Sequence, residues 1–166
     1  MLRRHQAADL EALQAMDSDA DARRFNGGVA DAETTRRYLD QHIAEFGNGK
    51  SWKFAIGTST GVMAGWCWLK YVESIDGFEV GYQVAREFWN QGIATEAAEG
   101  VVDYAFKGVR IPALHIIVDP ANLASVRVAE KLGFARWKEL PWECPSGTAI
   151  IFRMERKSFM RAQPLI

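Results

Sequence analysis

One carboxylate, Glu79, stands in an apolar run between Phe78 and Val80, and an amphipathic helix opens shortly after it at Gly92. The stretch from Glu79 to Ala97, EVGYQVAREFWNQGIATEA, reads as a strand, a short polar turn and a helix start. A helix start leaves backbone N–H groups without partners, and the helix dipole adds positive potential there. Such an end holds anions, phosphates above all. A carboxylate on the strand feeding it is a candidate general base. A phosphate cradle beside a base is the equipment of an enzyme that uses a phosphorylated cofactor.

The bulk properties narrow the class. A chain of 166 residues, 48% hydrophobic and 25% charged, supports one soluble domain with a full core. A net charge of −1 supplies no field to recruit nucleic acid or an anionic membrane, so neither is expected as a partner. Cys67 and Cys144 form no CxxC pair, which points to a reduced, cytoplasmic setting. No apolar run reaches the roughly 18 residues of a membrane span. Arg3 and Arg4 are followed by Asp9 and Glu11 rather than by an apolar segment, so no targeting peptide is expected.

The elements that position these groups follow from periodicity. Met1–Arg4 suits a short edge strand and Ala7–Met16 a helix, with a polar, mobile loop over Asp17–Gly28. Asp31 caps a second helix that turns Tyr38, Leu39, His42, Ile43 and Phe46 to one side and stops at Gly47. Trp52, Phe54 and Ile56, then Val62, Ala64, Trp66 and Trp68, alternate on either side of a Thr58–Gly61 turn, the pattern of a β-hairpin. In the strand over residues 77–85, Phe78, Val80, Tyr82 and Val84 share one face, and Glu79, Gly81 and Gln83 the other. A helix over Gly92–Phe106, ended by Gly108, carries alanines that allow close approach to a sheet. The run Ala113–Val118 suits a strand buried on both faces. Asn122 caps another short helix, stopped by Gly133. Strands over Phe134–Leu140 and Thr148–Met154 complete the domain at about residue 156, with a frayed tail over 157–166. The order β-α-α-β-β-β-α-β-α-β-β predicts an α/β fold: a mixed, mainly antiparallel twisted sheet with one central β-α-β crossover and flanking helices.

Two motifs now stand at the right separation, EVGYQVAREFWNQGIATEA and NLASVRVAEKLGF (Asn122–Phe134). Together they resemble the GNAT acyltransferase superfamily, and within it the branch of the ribosomal-protein N-acetyltransferases RimJ and RimL. The element order is similar over about residues 1–155. The resemblance implies a GNAT fold and acetyl-CoA as co-substrate, with no metal. It implies that backbone N–H groups of Asn90, Gln91, Gly92, Ile93, Ala94 and Thr95 hold the pyrophosphate. It implies further that pantetheine enters a gap between the strands of Glu79 and Val118, and that an N–H near Gln83 or Val84 polarises the thioester. Two positions depart from the pattern: Trp89, where the superfamily often has Arg or Gln, and Asn90, where the branch favours Gly. Asn tolerates positive φ, which preserves the turn.

The implied reaction is direct attack of a primary amine on the thioester in a ternary complex. Glu79 matches the glutamate that draws the amine proton through water. Many relatives protonate the leaving thiolate with a tyrosine, but Ala129 stands at that position, and Ser125 is the implied substitute. Asn122 is a cap that also reaches the pantetheine arm. The acceptor is a protein N-terminal amine or a small amine; monomer and homodimer both stay open. A catalytically silent acyl-CoA-binding module is the alternative. Among other signals, Gly49-Lys50-Ser51 follows a helix rather than a strand and is no P-loop. His5, His42 and His115 lack metal-ligand spacing. Most of the six tryptophans suit core packing, with one or two, alongside Phe25 or Tyr71, left as candidates for an acceptor pocket.

Overall fold

The period-two stretches build most of the sheet. β1 (Leu2–Arg4) pairs antiparallel with β2 (Ser51–Gly57), β2 with β3 (Met63–Val72), and β3 with β4 (Gly77–Val84). β4 runs parallel to β5 (Ala113–Val118); β5 pairs antiparallel with β7 (Thr148–Glu155), and β6 (Ala135–Pro141) forms the far edge. The computed structural model describes residues 1–162, and its spatial strand order is β1-β2-β3-β4-β5-β7-β6. This is the mixed sheet with one central crossover that the element order predicts.

Helices cover both faces. On one face α1 (Leu10–Asp17), α2 (Ala20–Arg23) and α3 (Ala32–Ala44) place Leu13, Met16 and Leu39 against Ala55 and Met63. On the other, α4 (Ile93–Asp103) and α5 (Leu123–Lys131) set Ala97, Ala98, Val101 and Val126 among Leu69, Val80, Leu114 and Ile116. Small alanine side chains bring α4 close beneath β4, which fixes where its N-terminus points. Truncating a fully buried side chain here, such as Leu114, costs about 2–5 kcal/mol.

Four local expectations differ from the structure. The segment Asp17–Gly28 is ordered by polar contacts rather than mobile. Asp19 accepts from the N–H groups of Asp21 and Ala22 to cap α2, the Thr35 hydroxyl donates to Asp17, and the buried Arg23 guanidinium donates to Gly28 O and Gln83 Oε1. Those partners are too distant in sequence for periodicity to reveal. In α3 the buried residues are Thr35, Leu39 and His42, whereas Tyr38 and Ile43 reach solvent. The helix expected to run to Phe106 widens into a π-helical turn over Tyr104–Val109 and closes on Arg110, at φ 63°, rather than on Gly108. The expected frayed tail is in part helix: α6 (Arg156–Ala162) lays Phe159 on Phe106, ring centroids 5.0 Å apart, while residues 163–166 lie outside the described ones. Cys67 and Cys144 are both free thiols. Among the described residues no helix is long and apolar enough to cross a membrane.

A row of rings crosses the sheet under α3. His5 lies 4.9 Å from His42, His42 4.7 Å from Trp66, and Trp66 4.7 Å from Trp68, centroid to centroid. Both imidazoles are 5% exposed, and His5 Nδ1, His5 Nε2 and His42 Nδ1 have no hydrogen-bond partner among the described residues. Asp9 sits 3.6 Å from His5, too far to bond it. Burial therefore dominates and pushes the pKa of His5 down to about 4 and of His42 to about 3, from 6.5. Between those values and 6.5 the unfolded chain binds protons that the folded chain refuses. Stability is accordingly full above about pH 6.5 and falls as pH drops toward 4, by several kcal/mol at about 1.4 kcal/mol per displaced unit. The melting temperature should already decline between pH 7 and about pH 5.5, where ordinary carboxylates remain ionised. His42→Phe, which keeps a ring in the stack, should flatten that decline; an unchanged slope would contradict the assignment.

Candidate active site

β4 and β5 pair over two positions only, Phe78 with Leu114 and Glu79 with His115. Beyond them the strands part. Ala85 N–H donates to Ala64 O, and the alternation of an antiparallel ladder then directs the backbone groups of Gln83 and Gly81 toward β3. The groups of Val80, Tyr82 and Val84 face the opening instead. The Val84 carbonyl accepts from Trp89 Nε1 at 2.7 Å, consistent with that orientation. Of the two positions considered for a thioester contact, the ladder thus turns Val84 toward the gap and the Gln83 backbone away from it. Gln83 has a different job: its side-chain oxygen accepts from Arg23 and Asn26.

At the far end of the gap β4 runs through a tight turn into α4. Asn90 adopts φ 60° and Gly92 φ 80°, so both take the left-handed conformation. A Cβ at Gly92 meets nothing within 4 Å in the protein, and its positive φ is the backbone constraint that favours glycine. Gly92 is the N-cap of α4, and its carbonyl accepts from Glu96 N–H. The N–H groups of Asn90, Gln91, Gly92, Ile93, Ala94 and Thr95 find no acceptor among the described residues. Six successive donors at a helix N-terminus form an anion cradle of the size a pyrophosphate needs. These residues fit acetyl-CoA, and the open strand edge leading to them fits its extended arm.

Glu79 sits in the last ladder pair before the strands part, on the face of α1 and α3. It is 7% exposed. Trp68 Nε1 donates to its Oε2 at 3.2 Å, and Lys70 Nζ lies 3.1 Å from the same oxygen. Oε1 has no protein partner among the described residues. Gly81 makes this possible, because a Cβ there falls inside the van der Waals envelope of the Trp68 indole. The ring therefore lies flat on the strand with its N–H aimed at the carboxylate.

Ser125 and Asn122 approach from the other face. Asn122 Oδ1 accepts from Ser125 N–H at 3.2 Å and caps α5, as its position predicts. The Ser125 hydroxyl lies 2.7 Å from the Tyr82 hydroxyl. Burial pushes the Tyr82 pKa up to about 12, with the Ser125 bond opposing it. Tyr82 is the residue that sequence reading missed. Its alternation placed it correctly on the core face, but no local signal paired it with Ser125. Glu79, Tyr82, Asn122 and Ser125 all line one cavity of about 470 Å³. Phe25, Trp66, Trp68 and Trp142 line it too, whereas Tyr71 does not join them, its hydroxyl donating to Asp76 instead. Among the described residues no cluster of His, Cys, Asp or Glu is gathered as for a metal ion. A base on one face and a hydroxyl pair on the other, joined through a gap in the sheet, suit proton removal and proton return at two ends of one reaction.

Gly81→Ala should displace the Trp68 ring, cost about 1–3 kcal/mol of stability and slow any chemistry that uses Glu79. In the Trp68→Ala background the same change should cost little, since the clash is gone. Equal losses in both backgrounds, read by denaturant unfolding, would contradict the clash.

The family model described as "Acetyltransferase (GNAT) domain" matches residues 1–135. An uncharacterized protein, YkkB, of Bacillus subtilis (strain 168) is 34% identical over 146 residues, covering 86% of this chain and 82% of the relative. A GNAT-family acetyltransferase from Bacillus anthracis superposes with a TM-score of 0.82 at 23% identity, covering 94% of each chain. The spermidine N-acetyltransferase of Vibrio cholerae, solved in complex with CoA and spermine, superposes with a TM-score of 0.81 at 16% identity, covering 96% of this chain and 97% of that one. The parted strands, the cradle at Gly92 and the extent of the family match lead to one conclusion: this chain belongs to the GNAT family of acetyl-CoA-dependent acyltransferases.

Proposed function

We propose that the protein is an N-acetyltransferase of the RimJ/RimL-like branch that acetylates a primary amine directly in a ternary complex. The observation that carries the reading is the convergence of Glu79 and the Tyr82–Ser125 pair on one cavity from opposite faces of the sheet, at the point where β4 and β5 part. Acetyl-CoA, held by the Asn90–Thr95 amides, supplies an activated acetyl thioester there.

The chain's own groups then divide the work. An amine attacks only when neutral. Glu79 takes its proton on Oε1, while Trp68 and Lys70 hold Oε2 in place. Val84 offers its N–H to the developing negative charge on the carbonyl oxygen. The Ser125 hydroxyl returns a proton to the departing sulfur and is resupplied by Tyr82, 2.7 Å behind it, which regains its own proton from solvent. That pair occupies the role for which Ala129 lacks a hydroxyl, and so favours catalysis over a silent binding module. Release of free thiol with a panel of amines reads the activity.

Glu79→Gln keeps the shape and the bond from Trp68 and removes the basic carboxylate. Turnover at saturating amine should fall by about 10²-fold or more, with CoA affinity, measured by calorimetry, little changed. Unchanged turnover would remove Glu79 from this role.

A further inference from the structure

The acceptor side of the cavity has an unusual charge arrangement for an enzyme that binds amines. Every carboxylate near it except Glu143 is already engaged. Glu79 is paired with Lys70. Asp119 accepts from the Ser146 hydroxyl, the Ser146 N–H and the Ala121 N–H. Asp17 is bonded by Thr35 and lies 3.4 Å from Arg23; Asp19 and Asp21 are both paired with Arg86. Only Glu143, exposed on the β6–β7 loop, lines the cavity without a partner among the described residues.

Among the cations, Lys70 and Arg23 are held by Glu79 and Asp17, and Lys53 is not so held. Lys53, Lys70 and Arg23 all line the cavity. Lys53 is half-buried and has no carboxylate within 4.0 Å among the described residues. Burial lowers its pKa, more distant Glu45 pulls it back, and Lys70 lowers it again. It stands directly across from Trp68 in the β2–β3 register, and Trp66 and Trp68 stack beside it. A polycationic acceptor would meet the like charge of Lys53 here with no free buried acid to balance it. An amine that carries its own anion would meet the opposite: a carboxylate for Lys53, an indole surface for its body, and Glu79 for its nitrogen. Lys53 lies level with Gly81 on β4, so it is two strands and two residues from Glu79, about 12 Å between Cα atoms. A lysine side chain spans roughly half of that distance, which leaves room for an acid only a few bonds from the amine.

We propose that the acceptor is a small amine bearing a carboxylate and an apolar or aromatic body, an amino-acid-type amine, and that Lys53 selects it by pairing with the carboxylate. The inference rests on the acetyl-transfer reading above.

Matched amines separate the two. Thiol release from acetyl-CoA is measured with phenylalanine against phenethylamine, leucine against isoamylamine, and spermidine. The carboxylated member of each pair should have the higher kcat/KM, by about 10-fold or more, and both should exceed spermidine. Lys53→Met should narrow the ratio within each pair, and Lys53→Glu should reverse it. Equal or higher turnover of the decarboxylated amines or of spermidine, or ratios that Lys53→Met leaves unchanged, would overturn the inference while the transfer reading stands. Calorimetry of the same pairs on protein saturated with CoA reads the site without turnover. Carboxylate-dependent binding that Lys53→Met abolishes, with no thiol released by any amine, would support the inference and overturn the transfer reading. Absence of both would overturn the inference as well.

Discussion

Two parallel strands that hold together for only two residue pairs govern everything else in this molecule. Because β4 and β5 pair at Phe78–Leu114 and Glu79–His115 and nowhere further on, the sheet opens from its middle toward the C-terminal ends of both strands. The opening carries a strand edge with free hydrogen-bonding groups, which an extended ligand can complete. It also joins the two faces of the sheet. Glu79, on the last pair, projects from one face, and Tyr82, three residues on, from the other. Side chains of opposite pleat would otherwise never serve one reaction. The turn after β4 then places six free N–H groups at the end of the same opening. α4 is held there by alanines packed closely beneath the strand.

The electrostatics follow from the same arrangement. The carboxylate of Glu79 is buried at the mouth of the opening, and one of its oxygens is held by a specific set of partners, Lys70 and Trp68. Glu79 is buried while Lys70 keeps its head partly in solvent, so the pair holds the carboxylate in place without desolvating both charges. Gly81 belongs to that arrangement as much as the charges do, because the indole reaches Glu79 only over a residue without a Cβ. The network of Arg23 with Asp17, Gly28 and Gln83 does for the α2 segment what packing does elsewhere: it fixes a polar stretch as one wall of the cavity.

The parts legible in the sequence were those written in local periodicity or in special backbone conformations. The alternation of Phe78 to Val84 predicted both faces of β4, Asp31 and Asn122 proved to be the caps their positions suggested, and Gly92 marked the start of α4 at a positive φ. Asn90 at φ 60° shows that the departure from glycine there is tolerated. The hidden parts depend on residues far apart in sequence. Nothing near Tyr82 announces Ser125, 43 positions away, and nothing near Arg23 announces Gln83, 60 positions away. The buried His5 and His42 belong to the same class, as does the place of Lys53 opposite Trp68, which appears only once the hairpin register is known. The expected loop over Asp17–Gly28 failed for this reason: its order comes from partners in other elements, and its polar composition conceals them.

The account stands on the opening between β4 and β5 being the place where the cofactor lies. Amide hydrogen exchange with and without saturating CoA tests that most directly. The account predicts slower exchange at Asn90–Thr95 and at Val80, Tyr82 and Val84, with β1 and the outer part of β2 unchanged. Saturating CoA that leaves those amides exchanging as in the free protein, or that protects a different surface, would contradict it.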